Sequence, residues 1–421
     1  MVSSRPNPSA SSFSNHRPMG FAEFVALVAS LMALNALAVD MMMPALPDIG
    51  RALGLLNDND RQTVLTAFIV GFGFGQLAVG PLSDRYGRKP VLIYGLLIYS
   101  LASVLCAFAQ SFDTLLAARF VCGLGAAATR VVIIAVVRDC YAGRQMASVM
   151  SLAMMVFIAV PVIAPSVGQV VVLIWPWQSI FTLLAGAGIL ITIWLALRLP
   201  ETLRPDNRLP IELRSLGRAF RALIANRQTV GYTLAGGLMQ GGMYSFLLSA
   251  QQILGEYFGL GNYFPLAFAA AALTISLSSF INARFVGRLG MRVLSHGAAV
   301  TFMILAIIMT TLILLDRLSF PSFMTILAAI TFLIGLTFAN FNALAMEPQG
   351  RIAGTASSFL GAVTTFIAVM IAAGVAYAYN GTLVPLAAGY IFVGVSVLAV
   401  ICFAEKGRLF GPHSSPHPPA K

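Results

Sequence analysis

Gly80-Pro81-Leu82-Ser83-Asp84-Arg85-Tyr86-Gly87-Arg88-Lys89-Pro90 separates two long apolar runs. The stretch carries three cations and one carboxylate in a chain of 421 residues of which only 10% are charged. A link this short keeps its charges beside the ends of the helices it joins. Lys and Arg are retained on the cytoplasmic side of a membrane, so Arg85, Arg88 and Lys89 mark the face on which the turn lies. Asp84 departs from that pattern. A carboxylate gains about 0.3–1 kcal/mol beside a helix N-terminus, and more beside an arginine, so Asp84 suits a latch to another element. Gly80 and Gly87 allow close approach and a turn that a side chain would block.

The rest of the chain agrees with a membrane setting. It is 58% hydrophobic with mean hydropathy +0.87, too little polar surface for a soluble protein of this length. Most apolar runs exceed the ~18 residues that a spanning helix needs. The net charge of +11 suggests nucleic acid only until its placement is read, because the basic residues sit between apolar runs. Cys106, Cys122, Cys140 and Cys402 are scattered and give neither a disulfide framework nor metal-ligand spacing. Residues 1–20 form a Ser/Pro/Asn-rich tail that is expected to be disordered. The first apolar run is too long for a signal-peptide core and reads as a retained helix.

Twelve spans are expected, roughly at 21–43, 61–81, 91–110, 114–137, 146–171, 178–198, 228–250, 263–285, 293–315, 321–345, 353–378 and 383–404. On that count 21 of the 26 Lys and Arg residues fall on one face. Only Arg51, Arg61 and Arg317 fall on the other, and Arg119 and Arg130 lie within spans. Both termini, including the tail 405–421, are therefore expected in the cytoplasm. The segment 199–227 divides residues 21–198 from 228–404. In it Arg214, Arg218 and Arg221 share one helical face, and Leu213, Leu216, Phe220 and Leu223 another, which reads as a basic amphipathic helix on the membrane surface. Gly287-Arg288-Leu289-Gly290-Met291-Arg292 echoes the first turn with Gly287 in place of the aspartate. The fold class is thus all-α and integral to the membrane, with two pseudo-symmetric six-helix bundles, an arrangement typical of secondary transporters.

Asp40 is the one acid placed well inside a span, and an ionisable group there is a functional candidate. By helix rise it sits about 12 Å from the middle of its span, toward the outer side, and Arg119 about 9 Å, so the two can share a cavity. Arg130 lies in the opposite leaflet and is the poorer partner. Burial and a neighbouring cation push a carboxylate's proton affinity in opposite directions. A cavity whose wetness alternates can therefore load and unload Asp40. Met239, Gln240, Met243 and Tyr244 on the seventh span, Asn340 and Asn342 on the tenth, Met154, Met155 and Phe157 on the fifth and Met41 beside Asp40 are candidate pocket residues. Methionine adapts to irregular shapes, and aromatic faces accept flat or cationic ligands. None of the four histidines is placed for a proton relay.

The pattern G-x-L-x-D-R-x-G-R-K in 80–89 resembles the signature loop of the major facilitator superfamily. Arg119-Phe120-Val121-Cys122-Gly123-Leu124-Gly125-Ala126-Ala127 resembles its fourth-helix motif, whose arginine is implicated in proton transfer, with Cys122 replacing the usual glutamine. Pro161, Pro165 and Gly168 lie in a segment similar to the antiporter motif of the fifth helix, although Ala164 and Gln169 stand where that pattern has glycines. Asp40-Met41-Met42-Met43-Pro44-Ala45-Leu46-Pro47, Pro176-Trp177-Gln178-Ser179-Ile180-Phe181 and Leu199-Pro200-Glu201-Thr202-Leu203 are similar to Bcr/CflA-type drug:proton antiporters. The resemblance implies two further contacts, Asp84 with the N-terminus of the eleventh helix near Gly354 and Arg88 with Asp139. Together these close the cytoplasmic side and hold an outward-open state.

The leading function is a proton-coupled exporter of small apolar or cationic compounds such as drugs, working by alternating access in the cell inner membrane. The alternative is a facilitator or importer of one metabolite. An intramembrane enzyme needs paired acids, a Ser/His or Cys/His set, or metal ligands, and Asp40 has no acidic partner. No phosphate-binding loop for ATP is visible. The expected partners are a small-molecule substrate, protons and the bilayer, with no nucleic acid, no cofactor and no metal, and a monomer is expected.

Overall fold

A computed structural model describes residues 19–208 and 223–410, with 217 and 221 between them. The amphipathic helix expected in 199–227 lies largely outside the described residues, as do the tails 1–18 and 411–421. The long helices are α1 (Phe21–Asp40), α2 (Thr63–Tyr86), α3 (Arg88–Ala107), α4 (Phe112–Cys140), α5 (Gly143–Ile174) and α6 (Gln178–Arg198) in the first half. The second half holds α7 (Arg227–Ala250), α8 (Phe264–Leu289), α9 (Met291–Leu314), α10 (Phe320–Met346), α11 (Ala353–Tyr377) and α12 (Val384–Ala404). No strand is present among the described residues.

Eleven of these twelve are long and apolar enough to cross a bilayer. The exception is α7, which is as long but carries Gly231, Gly236, Gly237, Gly241 and Gly242 with Gln228 and Gln240. Its glycines and Gln240 are buried, so α7 is a central helix that need not be apolar toward lipid. The lipid-facing surface lies elsewhere. Leu101, Leu190 and Phe280 are each at least 66% exposed, where a soluble protein would present charge.

The helix pairing repeats with an offset of six. In the first half α2 and α3 pack on α4, α3 on α6, and α1 on α5; in the second half α8 and α9 pack on α10, α9 on α12, and α7 on α11. The halves meet along two equivalent seams, α2 with α11 and α5 with α8. Small residues set the closest approaches. A Cβ on Gly71 would strike the carbonyl of Phe120, and one on Gly123 the carbonyl of Phe68, so α2 and α4 touch backbone to backbone.

One boundary differs from the sequence expectation and matters for the site. The first span does not end near residue 43. After α1 the chain makes a 3₁₀ turn at Met43–Ala45 and continues as a helix over Leu46–Ala52. The apolar run is thus Phe21–Ala52, 32 residues. Pro44 lacks the donor N–H and interrupts the α-helical hydrogen bonding without ending the burial, and Pro47 sits in the first turn of the next helix, where no N–H is needed. Asp40 therefore sits only about 5 Å from the middle of the run by helix rise, not about 12 Å.

Candidate functional site

Asp40 is the last residue of α1, just before the break, and is 3% exposed. Among the described residues no hydrogen bond or ion pair reaches its carboxylate. The helix that covers this point is α5, which carries Pro161 and Pro165 inside it. A Cβ on Gly168 would strike the carbonyl of Met41, so α5 lies directly on the segment that follows Asp40. The proline-bearing stretch of the fifth span and the acid of the first are therefore one packing unit.

Arg119 is 1% exposed and does not face Asp40. Its Nε donates to the Val64 carbonyl at 3.2 Å and its Nη2 to the Ala38 carbonyl at 3.0 Å. The guanidinium lies over the rings of Phe68 and Phe181, with centroids at 4.6 and 5.8 Å. Carbonyl acceptors and aromatic faces together compensate a buried cation. The expected facing pair is thus an indirect one. Arg119 grips α1 two residues before Asp40 and fixes the backbone on which the acid stands.

The cavity between the halves has a volume of about 210 Å³ and is lined by α2, the first residue of α3, α4, α7, α10 and α11. It runs from Gln76 and Gln240, near mid-helix, to Asp84, Arg88 and Arg138 at the helix ends that carry the basic turns. Of the pocket candidates from the sequence, Gln240 and Asn342 line it. Met41, Met154, Met155, Phe157, Met239, Met243, Tyr244 and Asn340 do not. Met41 and Met239 are core residues, and Met155 is 66% exposed. Asn340 is buried and donates to Asn282 Oδ1 at 2.8 Å, so it ties α10 to α8. Tyr244 is half-buried and lies within electrostatic reach of both Arg130 and Asp40. Arg130, passed over in the sequence because of its depth, is on the cavity wall.

At the basic face, Arg88 is 4% exposed and anchors the first turn. Its Nη1 donates to Asp84 Oδ1 at 2.6 Å and Ser83 Oγ at 2.7 Å, and its Nε to Asp139 Oδ2 at 3.1 Å. Glu201, just past α6, accepts from the backbone N–H of Arg88 at 2.9 Å and of Lys89 at 3.1 Å, capping α3. Gly87 has φ +104°, and a Cβ there would strike Glu201, so both the turn and the cap require glycine. Arg85 is exposed beside the Tyr86 ring. These bonds all lie within the first half. Across the seam, Gly80 gives room to Ser358 of α11, and Gln76 donates to Thr365 at 3.1 Å. Gly354 lies in the first turn of α11, and its contacts, including the expected one with Asp84, lie outside the described residues.

The opposite face is joined across the halves. Arg61 pairs with Glu256 at 2.5 Å, Asn59 donates to the carbonyls of Tyr377 and Tyr379 at 3.0 and 2.6 Å, and Gln252 donates to Asn59 at 2.8 Å. Gln62, Gln251 and Gln252 keep buried polar atoms without a protein partner among the described residues there. The turn around Arg88 is thus intact in a state whose cavity lies toward the basic face, whereas the resemblance tied it to the outward-open state.

Two groupings escaped the sequence. Cys106 and Cys122, 16 residues apart on α3 and α4, are free buried thiols with sulfurs 3.9 Å apart. His296, one turn after Arg292, is 1% exposed and 3.0 Å from the Tyr232 hydroxyl, which also donates to Glu405.

Comparison with known proteins agrees with this architecture. The family model described as Major Facilitator Superfamily matches residues 28–374. The chain belongs to the major facilitator superfamily. This major facilitator protein is 32% identical over 340 residues to the uncharacterized MFS-type transporter YdgK of Bacillus subtilis, covering 80% of this chain and 84% of that one. It is 29% identical to a bicyclomycin resistance protein homolog of Haemophilus influenzae, over 81% and 85% of the two chains. The crystal structure of a D-xylose-proton symporter superposes with TM-score 0.73 at 13% identity, over 93% of this chain and 99% of that one, a likeness of fold alone. The chain is a multi-pass membrane transporter of this superfamily.

Proposed function

We propose that this transporter is a proton-driven exporter of small drug-like compounds, working by alternating access in the cytoplasmic membrane with both termini inside. The carrying observation is Asp40, a buried carboxylate without a bonded partner among the described residues, at the break after α1 and covered by the proline-bearing α5. An acid so placed exchanges its proton only when water reaches it, and water reaches it from one side at a time if the two faces open in turn. Relatives named for resistance to bicyclomycin and chloramphenicol support export as the direction. The distribution of Lys and Arg supports a cytoplasmic assignment for the face bearing the Arg88 turn. The exporter acts without chemistry on its cargo, takes its energy from the proton gradient with no bound cofactor or metal, and works as a monomer.

The test is Asp40→Asn in everted vesicles supplied from outside with a panel of drugs and dyes. Uphill, gradient-dependent accumulation is expected to disappear while down-gradient exchange of the same compounds continues. Uphill transport at the wild-type rate in Asp40→Asn would remove Asp40 from the coupling role.

A further inference from the structure

We infer that the central cavity anchors its cargo on Arg130 and selects uncharged or anionic compounds rich in oxygen acceptors over organic cations. The inference rests on the exporter reading and sharpens the class of compound that reading admits at the same site.

The charge on the wall is one-sided. The lining includes three arginines, Arg88, Arg130 and Arg138, and one carboxylate, Asp84. Arg88 is taken up by Asp84 and Asp139. Among the described residues no carboxylate pairs with Arg130 or Arg138. Arg130 stands ten residues before the end of α4, half-buried, well inside the membrane. Its charge there is poorly screened and attracts whatever acceptor enters. Asp40 interacts electrostatically with Tyr244 but does not line the cavity.

The neutral lining points the same way. Gln240 and Asn342 offer amide donors, and Ser357, Ser358 and Thr364 offer hydroxyls around the same space. Val131, Ile134, Phe338 and Leu360 supply the apolar wall. A carboxylate, nitro or clustered carbonyl group fits a guanidinium fork held among such donors. A quaternary ammonium finds neither an unpaired acid nor an aromatic cage, since Phe338 and Tyr232 are the cavity's only rings among the described residues. The volume of about 210 Å³ is below the roughly 300–1,000 Å³ typical of drug-sized sites, so small compounds are favoured in this state.

The experiment measures equilibrium binding to the purified full chain of 4-nitrobenzoate, 4-nitrobenzamide and 4-nitrobenzyltrimethylammonium, which share a ring and nitro group and differ in charge. The expected order is anion, then neutral, then cation, spanning about tenfold or more, as a charge-assisted contact implies. Arg130→Gln is expected to erase the order, and Arg130→Lys to keep it at reduced affinity, which separates loss of the anchor from loss of the fold. Preference for the cation, equal affinity for all three, no binding of any, or an unchanged order in Arg130→Gln overturns the inference. Ordered, Arg130-dependent binding without proton-driven efflux removes the exporter reading and keeps this one. Efflux without the order does the reverse.

Discussion

The turn at Gly80–Pro90 and its echo at Gly287–Arg292 share a backbone and differ in wiring. Both pivot on a glycine with positive φ, +104° at Gly87 and +82° at Gly290. Both lie against acids that end equivalent helices. Asp139, near the end of α4, and Glu201, past α6, serve the first turn. Glu347, just past α10, and Glu405, past α12, serve the second, at 3.6 and 2.7 Å from Arg292. Asp84 has no counterpart, since Gly287 stands at its position, and Glu405 instead accepts a further hydrogen bond from Tyr232, whose hydroxyl lies 3.0 Å from His296. The duplication thus kept the requirement for acids at the ends of the fourth and sixth helices of each half. Only the first copy added an acid to the turn itself, and with it an arginine satisfied from three sides.

That difference predicts unequal responses. Arg88→Ala strands two carboxylates and loses three side-chain hydrogen bonds, so it should cost about 3 kcal/mol, less than a fully buried pair because Asp84 is partly solvated. Arg292→Ala should cost about 2 kcal/mol or less by the same reasoning. Thermal unfolding in detergent compares them, and a larger loss for Arg292→Ala would break the contrast. Gly87→Ala adds a collision with Glu201 to an unfavourable φ and should cost about 2 kcal/mol, while Gly290→Ala meets open space and should cost about 1 kcal/mol. Equal shifts would mean that the Glu201 cap contributes nothing.

The smallest effect concerns Glu405. Burial opposes its charge, but hydrogen bonds from Tyr232 and Arg292 outweigh that and hold it below its ordinary value of 4.5. A depressed carboxylate contributes stability that is present above its unfolded pKa and is lost as pH falls through the folded value. Wild type should therefore lose stability relative to Glu405→Gln as pH falls below about 4.5, by less than about 1 kcal/mol for this partly buried group. A difference that stays flat with pH would leave Glu405 without a role in holding Arg292.

How much of the site was readable depended on whether a residue's partner was local. Asp40 stands out because charge is rare inside apolar runs, whereas the Arg88–Asp139 contact and the antiporter stretch of α5 follow only from the resemblance to the superfamily's motifs. The depth of Asp40 was misjudged because Pro44 and Pro47 look like a helix end, and only the packing of Leu46–Ala52 shows that burial continues. The place of Arg130 escapes the sequence because leaflet depth relative to Asp40 says nothing of the space between the halves. The methionines of α5 and α7 looked like pocket lining, yet composition does not tell which side of a helix faces a seam, a core or lipid.

The sequence by itself determined the twelve helices, their duplication and the turn that names the superfamily, because hydropathy, charge placement and glycine act over a few residues. The tertiary structure alone decided that Arg119 holds a backbone and not an acid, that Arg130 faces a cavity, and that Cys106 meets Cys122. Those relations join residues on different helices. Their distances follow from how glycine-lined surfaces let helices approach and rotate against one another, which no single stretch of sequence encodes.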